Sequence, residues 1–262
     1  MLVVENLKFS YEDNTVLNGI DLTARSGELV GIVGPNGAGK TTLIRAISGV
    51  LKPEVGIIKI GDIDLSLLSS SQRAKMISVV PQNPQLPLSF KVIDLVSMGR
   101  NPYLGIFEWE GDHDIQIIMR AMDLTDTTHL SQRLVGTLSG GEVQRVLVAM
   151  ALVQETDVIL MDEPTASLDL AYQTGIMDLV KGVNRQCGGV ILVAMHDLTL
   201  AAQYCDRLLM MLEGSVYTSG PPEDVLTSAN ISQVYGAEVY IMPHPRTGQP
   251  VVLPMRRLST LN

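Results

Sequence analysis

Hydrophobic and polar positions change period several times along the chain, and each change marks an element. Residues 2–9, 20–24 and 28–33 read as strands, with Asn18-Gly19 and Ser26-Gly27 as turn signals between them. This is an antiparallel-looking start that feeds one buried strand. Residues 34–39 are glycine-rich and break the pattern, and from Lys40 the spacing of Leu43, Ile44 and Ile47 predicts a helix. After strand-like residues 56–60 and 77–80, the stretch from Gln82 to about Glu155 turns helical, at Val92-Ile93, Leu95-Val96, 115–122 and 143–152. Residues 83–155 are therefore expected to form a helical subdomain inserted into an α/β core.

Two continuous apolar runs, 158–161 and 190–195, have the composition of strands buried on both faces of a parallel sheet, and a helix over about 172–184 separates them. The remainder holds strand-like residues 208–212 and 216–218, a short helix started by Pro221-Pro222, and a proline-rich end at Pro243, Pro245, Pro250 and Pro254. The expected fold class is α/β with an antiparallel β subdomain and the helical insertion. One large unit over 1–240 with a short C-terminal extension, 241–262, is the expected division.

Composition narrows the function classes. A chain of 262 residues, 46% hydrophobic and 18% charged, can bury a sizeable core and is not a disordered polymer. A net charge of −9 argues against coating nucleic acid, so no nucleic-acid partner is expected. Cys187 and Cys205 lack metal spacing and read as small core residues of a chain kept in a reducing compartment. The apolar runs at 146–153 and 190–195 fall short of the roughly 20 residues a membrane span needs. The first residues lack a basic stretch followed by an apolar one, so the chain is expected to stay in the cytoplasm and to borrow any membrane role from a partner. The acidic run Glu108, Glu110, Asp112 and Asp114 around Trp109 reads as a solvated loop face. His113, His129 and His244 stand alone and are assigned no chemistry.

The first constellation with chemistry is Gly34-Pro35-Asn36-Gly37-Ala38-Gly39-Lys40-Thr41, followed by Thr42. It fits G-x-x-x-x-G-K-[ST] between a predicted strand and a predicted helix. Glycines let the backbone wrap phosphate oxygens, and successive N–H groups with the positive helix end face the anion. Lys40 would reach the β- and γ-phosphates, and the Thr41 hydroxyl would ligate Mg²⁺. A dinucleotide site fails, because no third glycine follows Gly39 at the required spacing. The expected core is that of a P-loop NTPase.

The apolar strand at 158–161 ends in Asp162-Glu163, and a strand that dry needs a reason to end in charge. In P-loop enzymes the first acid holds Mg²⁺, here Asp162, which leaves Glu163 to orient or deprotonate the attacking water. His196 closes the next apolar strand at the same edge of the sheet, which makes it a candidate γ-phosphate contact. Leu138-Ser139-Gly140-Gly141-Glu142 precedes a helical run. Ser139 and Glu142 can form a capping box, and the glycine-lined helix start is also an anion site.

Together these motifs resemble the ATP-binding cassette (ABC) family over about residues 1–240, with Leu138 to Glu142 similar to its signature motif. The resemblance implies Tyr11 stacking on adenine, Gln82 sensing Mg²⁺ and the attacking water, Ser167-Leu168-Asp169 crossing between subunits, and His196 as the switch histidine. It also implies a head-to-tail dimer, homodimeric or formed with a similar chain, in which Ser139, Gly140, Gly141 and Glu142 of one subunit contact the ATP held by the other. Glu142 stands where the commonest signature has Gln, a variant that looks like that of metal-chelate importers. Residues 98–102 and 201–207 are likewise similar to importers for iron-siderophore, haem and cobalamin. The implied partners are a separate membrane permease and an extracytoplasmic substrate-binding protein, with the chain at the cytoplasmic face of the membrane. A soluble cassette ATPase of DNA repair or translation, a cassette ATPase for another transported substrate, and an ordinary P-loop kinase or GTPase are the competing readings.

Overall fold

The computed structural model describes residues 1–104, 111–166 and 168–255. Strands β1 (Leu2–Tyr11), β2 (Asn14–Ala24), β4 (Val55–Ile60) and β5 (Ile63–Asp64) form an antiparallel sheet in the order β2-β1-β4-β5. The second sheet contains β3 (Leu29–Val33), β6 (Ile77–Val80), β7 (Val158–Asp162), β8 (Val190–Ala194), β9 (Arg207–Leu212) and β10 (Ser215–Gly220), ordered β10-β9-β3-β8-β7-β6. All of its neighbours pair in parallel except β9 with β10. Asn18-Gly19 is not the predicted turn: it lies inside β2, where Gly19 at φ +72° is skipped in the register with β1 and forms a bulge.

The central strands β3, β7 and β8 are buried at every position. Period-two alternation divides their side chains between two cores. Val30, Ile32, Leu160 and Leu192 face α1 (Lys40–Ser48) and the antiparallel sheet; Leu29, Val33, Met161 and Val193 face the helices on the other side. That second face is covered by α5 (Gly140–Leu152), α6 (Leu170–Cys187), α7 (Leu198–Tyr204), α8 (Pro222–Val225) and α9 (Ser228–Tyr235). Helix α2 (Ser70–Ala74) precedes β6 and is closed by a capping box between Ser69 and Gln72. Helices α7 and α9 are not predicted by the periodicity, being seven and eight residues long. Side-chain caps from Asp197 and Thr227 start them instead.

Between β6 and β7 the described chain is helical, with α3 (Val92–Ser97), α4 (Asp112–Leu124) and α5 packing their own apolar cluster around Leu95, Met122, Val146 and Ala149. Arg100 ties this lobe together. The residue is 3% exposed, and its guanidinium pairs with Asp114 at 2.8 Å and Glu155 at 3.0 Å, donates to the Val153 carbonyl at 2.8 Å, and lies over the Tyr103 ring. The acidic run is thus not a solvated face throughout: Asp112 and Asp114 begin α4, and Asp114 is consumed by Arg100 and the Gly111 amide. Glu108, Trp109 and Glu110 lie outside the described residues.

The proline-rich end is a two-stranded antiparallel hairpin, β11 (Val239–Pro243) with β12 (Pro250–Pro254), rather than irregular chain. A two-stranded ribbon leaves one edge of each strand unpaired, where proline's missing N–H is harmless. The expected break after residue 240 falls inside β11. Cys205 is buried as predicted, but Cys187 ends α6 and is exposed. No helix among the described residues is long and apolar enough to cross a membrane.

Candidate active site

Every sequence-predicted site residue of the core sits at the carboxyl edge of the parallel sheet, because β3, β6, β7 and β8 run the same way and the loops after them meet there. The loop after β3 turns on glycines: Gly34, Gly37 and Gly39 have φ of +153°, +80° and +99°, and a Cβ on Gly34 would lie 2.4 Å from the Met211 carbonyl oxygen. Gly39 precedes α1 without a side-chain cap, so the first N–H groups of the helix are left to face the loop. Lys40 is the first residue of α1, and its Nζ donates to the carbonyls of Gly34 at 2.8 Å and Pro35 at 3.1 Å. Burial pushes its ammonium below the usual lysine range, against the attraction of Glu163 and Asp162.

Thr41 donates its hydroxyl to Asp162 Oδ1 at 3.0 Å. Asp162 is 6% exposed, and burial holds its carboxyl above the usual range, with the Thr41 hydrogen bond pulling the other way. A buried anion that its neighbours leave undercompensated is a place for a cation. Thr41 and Asp162 offer hard oxygen donors of the kind Mg²⁺ takes, one or two from protein and the rest from substrate and water. The donor set fits that ion.

Glu163 lies just beyond β7 at φ +53°, a left-handed conformation that costs a non-glycine residue energy. Its N–H is fixed to the Ala194 carbonyl at 3.1 Å. This aims the carboxylate between two partners from neighbouring strands. Gln82, after β6, donates Nε2 to Glu163 Oε2, and His196, after β8, donates Nε2 to Glu163 Oε1. Gln82, Glu163 and His196 therefore form one cluster. Tyr11, at the end of β1, is 44% exposed, its ring edge-on to Phe9 at 4.8 Å.

The remaining predicted residues lie on other elements. Ser139 caps α5: its hydroxyl accepts from the Glu142 N–H at 3.4 Å, while Glu142 Oε2 accepts from the Ser139 N–H at 2.7 Å and its hydroxyl at 2.9 Å. These bonds, then Arg133 at 2.8 Å, hold the Glu142 carboxyl below its usual range. Gly140 opens α5, and a Cβ on Gly141 would strike the Tyr172 ring at 2.2 Å, so α5 and α6 approach closely there. Asp169 caps α6 through the Tyr172 N–H at 3.1 Å; Ser167 lies outside the described residues. Sequence reasoning missed Arg133, the ion-pair partner of Glu142, and Tyr172, whose ring requires Gly141; neither is marked by a local pattern.

A cavity of about 840 Å³ lies elsewhere, at the amino ends of β7 and β8 between the helical lobe and the core, lined by Ile117, Arg120, Leu152, Asp157 and Gly189 among others. It shares no residue with the phosphate loop.

Residues 17–166 match the ABC transporter family. The hemin import ATP-binding protein of Thermobifida fusca is 40% identical over 98% of this chain and 89% of its own length. The chain is an ATPase of the ABC transporter family. A cobalamin import ATP-binding protein of Halobacterium salinarum is 39% identical, over 97% of this ABC ATPase and 63% of that relative. A solved metal-chelate type ABC transporter in an inward-facing conformation superposes on the ABC ATPase with a TM-score of 0.85 at 27% identity, covering 98% of both chains.

Proposed function

We propose that this chain powers uptake of a metal chelate, an iron-siderophore, haem or cobalamin, through a separate membrane permease. It would work at the cytoplasmic face of the membrane, in a system that includes an extracytoplasmic substrate-binding protein. The observation that carries the reading is the convergence of Gln82, Glu163 and His196 beside the Thr41–Asp162 pair and the Lys40 loop. The hemin- and cobalamin-import relatives and the metal-chelate type structure support the cargo class.

In this reading the ATPase unit runs up to the β11–β12 hairpin, which begins at Val239, with the helical lobe over about 83–155. Tyr11 stacks on adenine, and Gly34 through Thr42 grip the phosphates. Lys40 exchanges two loop carbonyls for the β- and γ-phosphate oxygens. Thr41, Asp162 and Gln82 would hold Mg²⁺, which would supply positive charge against the phosphates. Glu163, fixed by its strained backbone, takes the proton of the attacking water, and His196 passes from Glu163 to the γ-phosphate. Ser139 through Glu142 and Asp169 serve the ATP of a second copy, so the working unit is a homodimer with two ATPs at its seam.

Co-purification tests the coupling. Expressed with the permease of its own system, the chain should remain bound through detergent extraction, and the chelate should stimulate ATP turnover in the presence of the binding protein. Association with nucleic acid instead of a permease would overturn the transport reading.

A further inference from the structure

The amino end of α5 sets a carboxylate beside the proposed contact to a second copy's ATP, where a phosphate calls for neutral or positive groups. Glu142 Oε2 accepts both the N–H and the hydroxyl of Ser139, at 2.7 and 2.9 Å, so the one hydroxyl proton of Ser139 is turned toward an anion. The glycine-lined helix start favours a phosphate, and a full negative charge one hydrogen bond from Ser139 opposes it. Arg133 answers that charge. Its Nη1 donates to the other carboxylate oxygen, Glu142 Oε1, at 2.8 Å, and its Nη2 donates to the Thr137 carbonyl at 2.5 Å. One planar fork thus ties Glu142 to the segment that leads into Ser139. The fork is itself anchored through its backbone: the Arg133 N–H donates to the Leu130 carbonyl at 2.8 Å, and the Arg133 carbonyl accepts the Val92 N–H of α3 at 3.0 Å.

On the reading that Ser139 to Glu142 meet the ATP of a second copy, we propose that Arg133 is a positioning residue for that contact: it balances the charge of Glu142 and holds the carboxylate in the cap, so that the Ser139 hydroxyl and the α5 amides can take a γ-phosphate. Stability alone does not account for the pair, because the Arg133 and Glu142 side chains are 42% and 26% exposed and an ion pair that wet contributes little to folding. The need for Arg133 is tied to the acid. Glu142→Gln keeps the capping pattern and leaves no charge to balance, so it removes the reason for the fork.

A double-mutant cycle tests this in the full chain carrying Glu163→Gln, which keeps bound ATP intact. The quantity read is the ATP concentration at which light scattering finds half of the chains paired. Arg133→Met should raise it about 10-fold, the scale of one unbalanced charge a few ångströms from an anion, and high salt should shrink the loss. Once Glu142→Gln is also present, Arg133→Met should change it by less than about twofold. Arg133→Lys, which restores the charge, should recover most of the loss, while affinity for ADP, held by the phosphate loop of one chain, stays within about twofold. An equal loss in both Glu142 backgrounds overturns the proposal, as does no loss in either, or a loss that follows a lower melting temperature. Ser139→Asp separates the underlying reading. If it pairs at the parent's ATP concentration, the α5 end does not meet ATP and the role of Arg133 falls with it; if it fails to pair while Arg133→Met pairs like the parent, only the role of Arg133 fails.

Discussion

Glu163 shows how a single residue is aimed by its backbone. Its left-handed φ of +53° is sustained by a bond to the Ala194 carbonyl, and it presents the carboxylate to Gln82 and His196 at once. Glu163→Gln should retain ATP binding and lose turnover by about 10²- to 10⁴-fold, the usual contribution of a positioned base; phosphate release and nucleotide binding, measured on the same preparation, check both halves. Near-normal turnover would remove the assigned role. The site was legible in the sequence wherever a residue type is demanded locally, as at Gly34 to Thr41 or Asp162-Glu163. What stayed hidden are contacts that no local pattern marks, the Tyr172 ring against Gly141 and the Arg133 guanidinium on Glu142. No spacing along the chain encodes those.

At the scale of elements, α5 combines two demands at its amino end, since Ser139 both caps the helix and carries the proposed contact to a second subunit's ATP. Asp caps as well as Ser but brings a negative charge. Ser139→Asp sets a second carboxylate against Glu142 Oε2, so it is expected to lower the unfolding midpoint modestly and to abolish turnover well below that midpoint, which denaturation and ATPase assays separate; a kinase or GTPase would keep its turnover. The cap also sets a pH dependence. The folded carboxyl of Glu142 titrates below its unfolded range, so its stabilisation is present above about pH 4.3 and is lost as pH falls through the lowered value. The advantage of the parent over Glu142→Gln in urea should shrink as pH drops below about 4. Arg100→Met leaves the Asp114 carboxylate and the Val153 carbonyl without their donor, while the half-exposed Glu155 turns to water, and should lower stability by about 2 kcal/mol, read from the denaturation midpoint. Elements with strong apolar periodicity, such as β3, β7, β8 and α5, were legible because both faces of the sheet are dry. The short helices α7 and α9 and the β11–β12 hairpin were not. Their form depends on caps and on packing against the core, as when Thr199 of α7 accepts the Val252 amide of β12 at 3.0 Å.

For the whole molecule, the phosphate loop and the α5 amino end belong to different lobes, each with its own apolar cluster, and each motif occurs once. A single chain therefore supplies half of each proposed ATP site, and two copies arranged head to tail complete both. The apolar composition that first marked the chain as globular leaves exposed side chains such as Leu88 at 65% and Leu170 at 75%. Leu88 is in the segment between Gln82 and α3, and Leu170 adjoins Asp169, where a permease and a second copy would each make contact in this account. The most direct measurement is the mass of Glu163→Gln in solution, by light scattering with and without ATP. A single chain of 28.4 kDa is expected without nucleotide and twice that mass with it, the shift disappearing when Lys40→Ala or Ser139→Asp is added. A mass that ATP leaves unchanged, while ATP is bound, would contradict it.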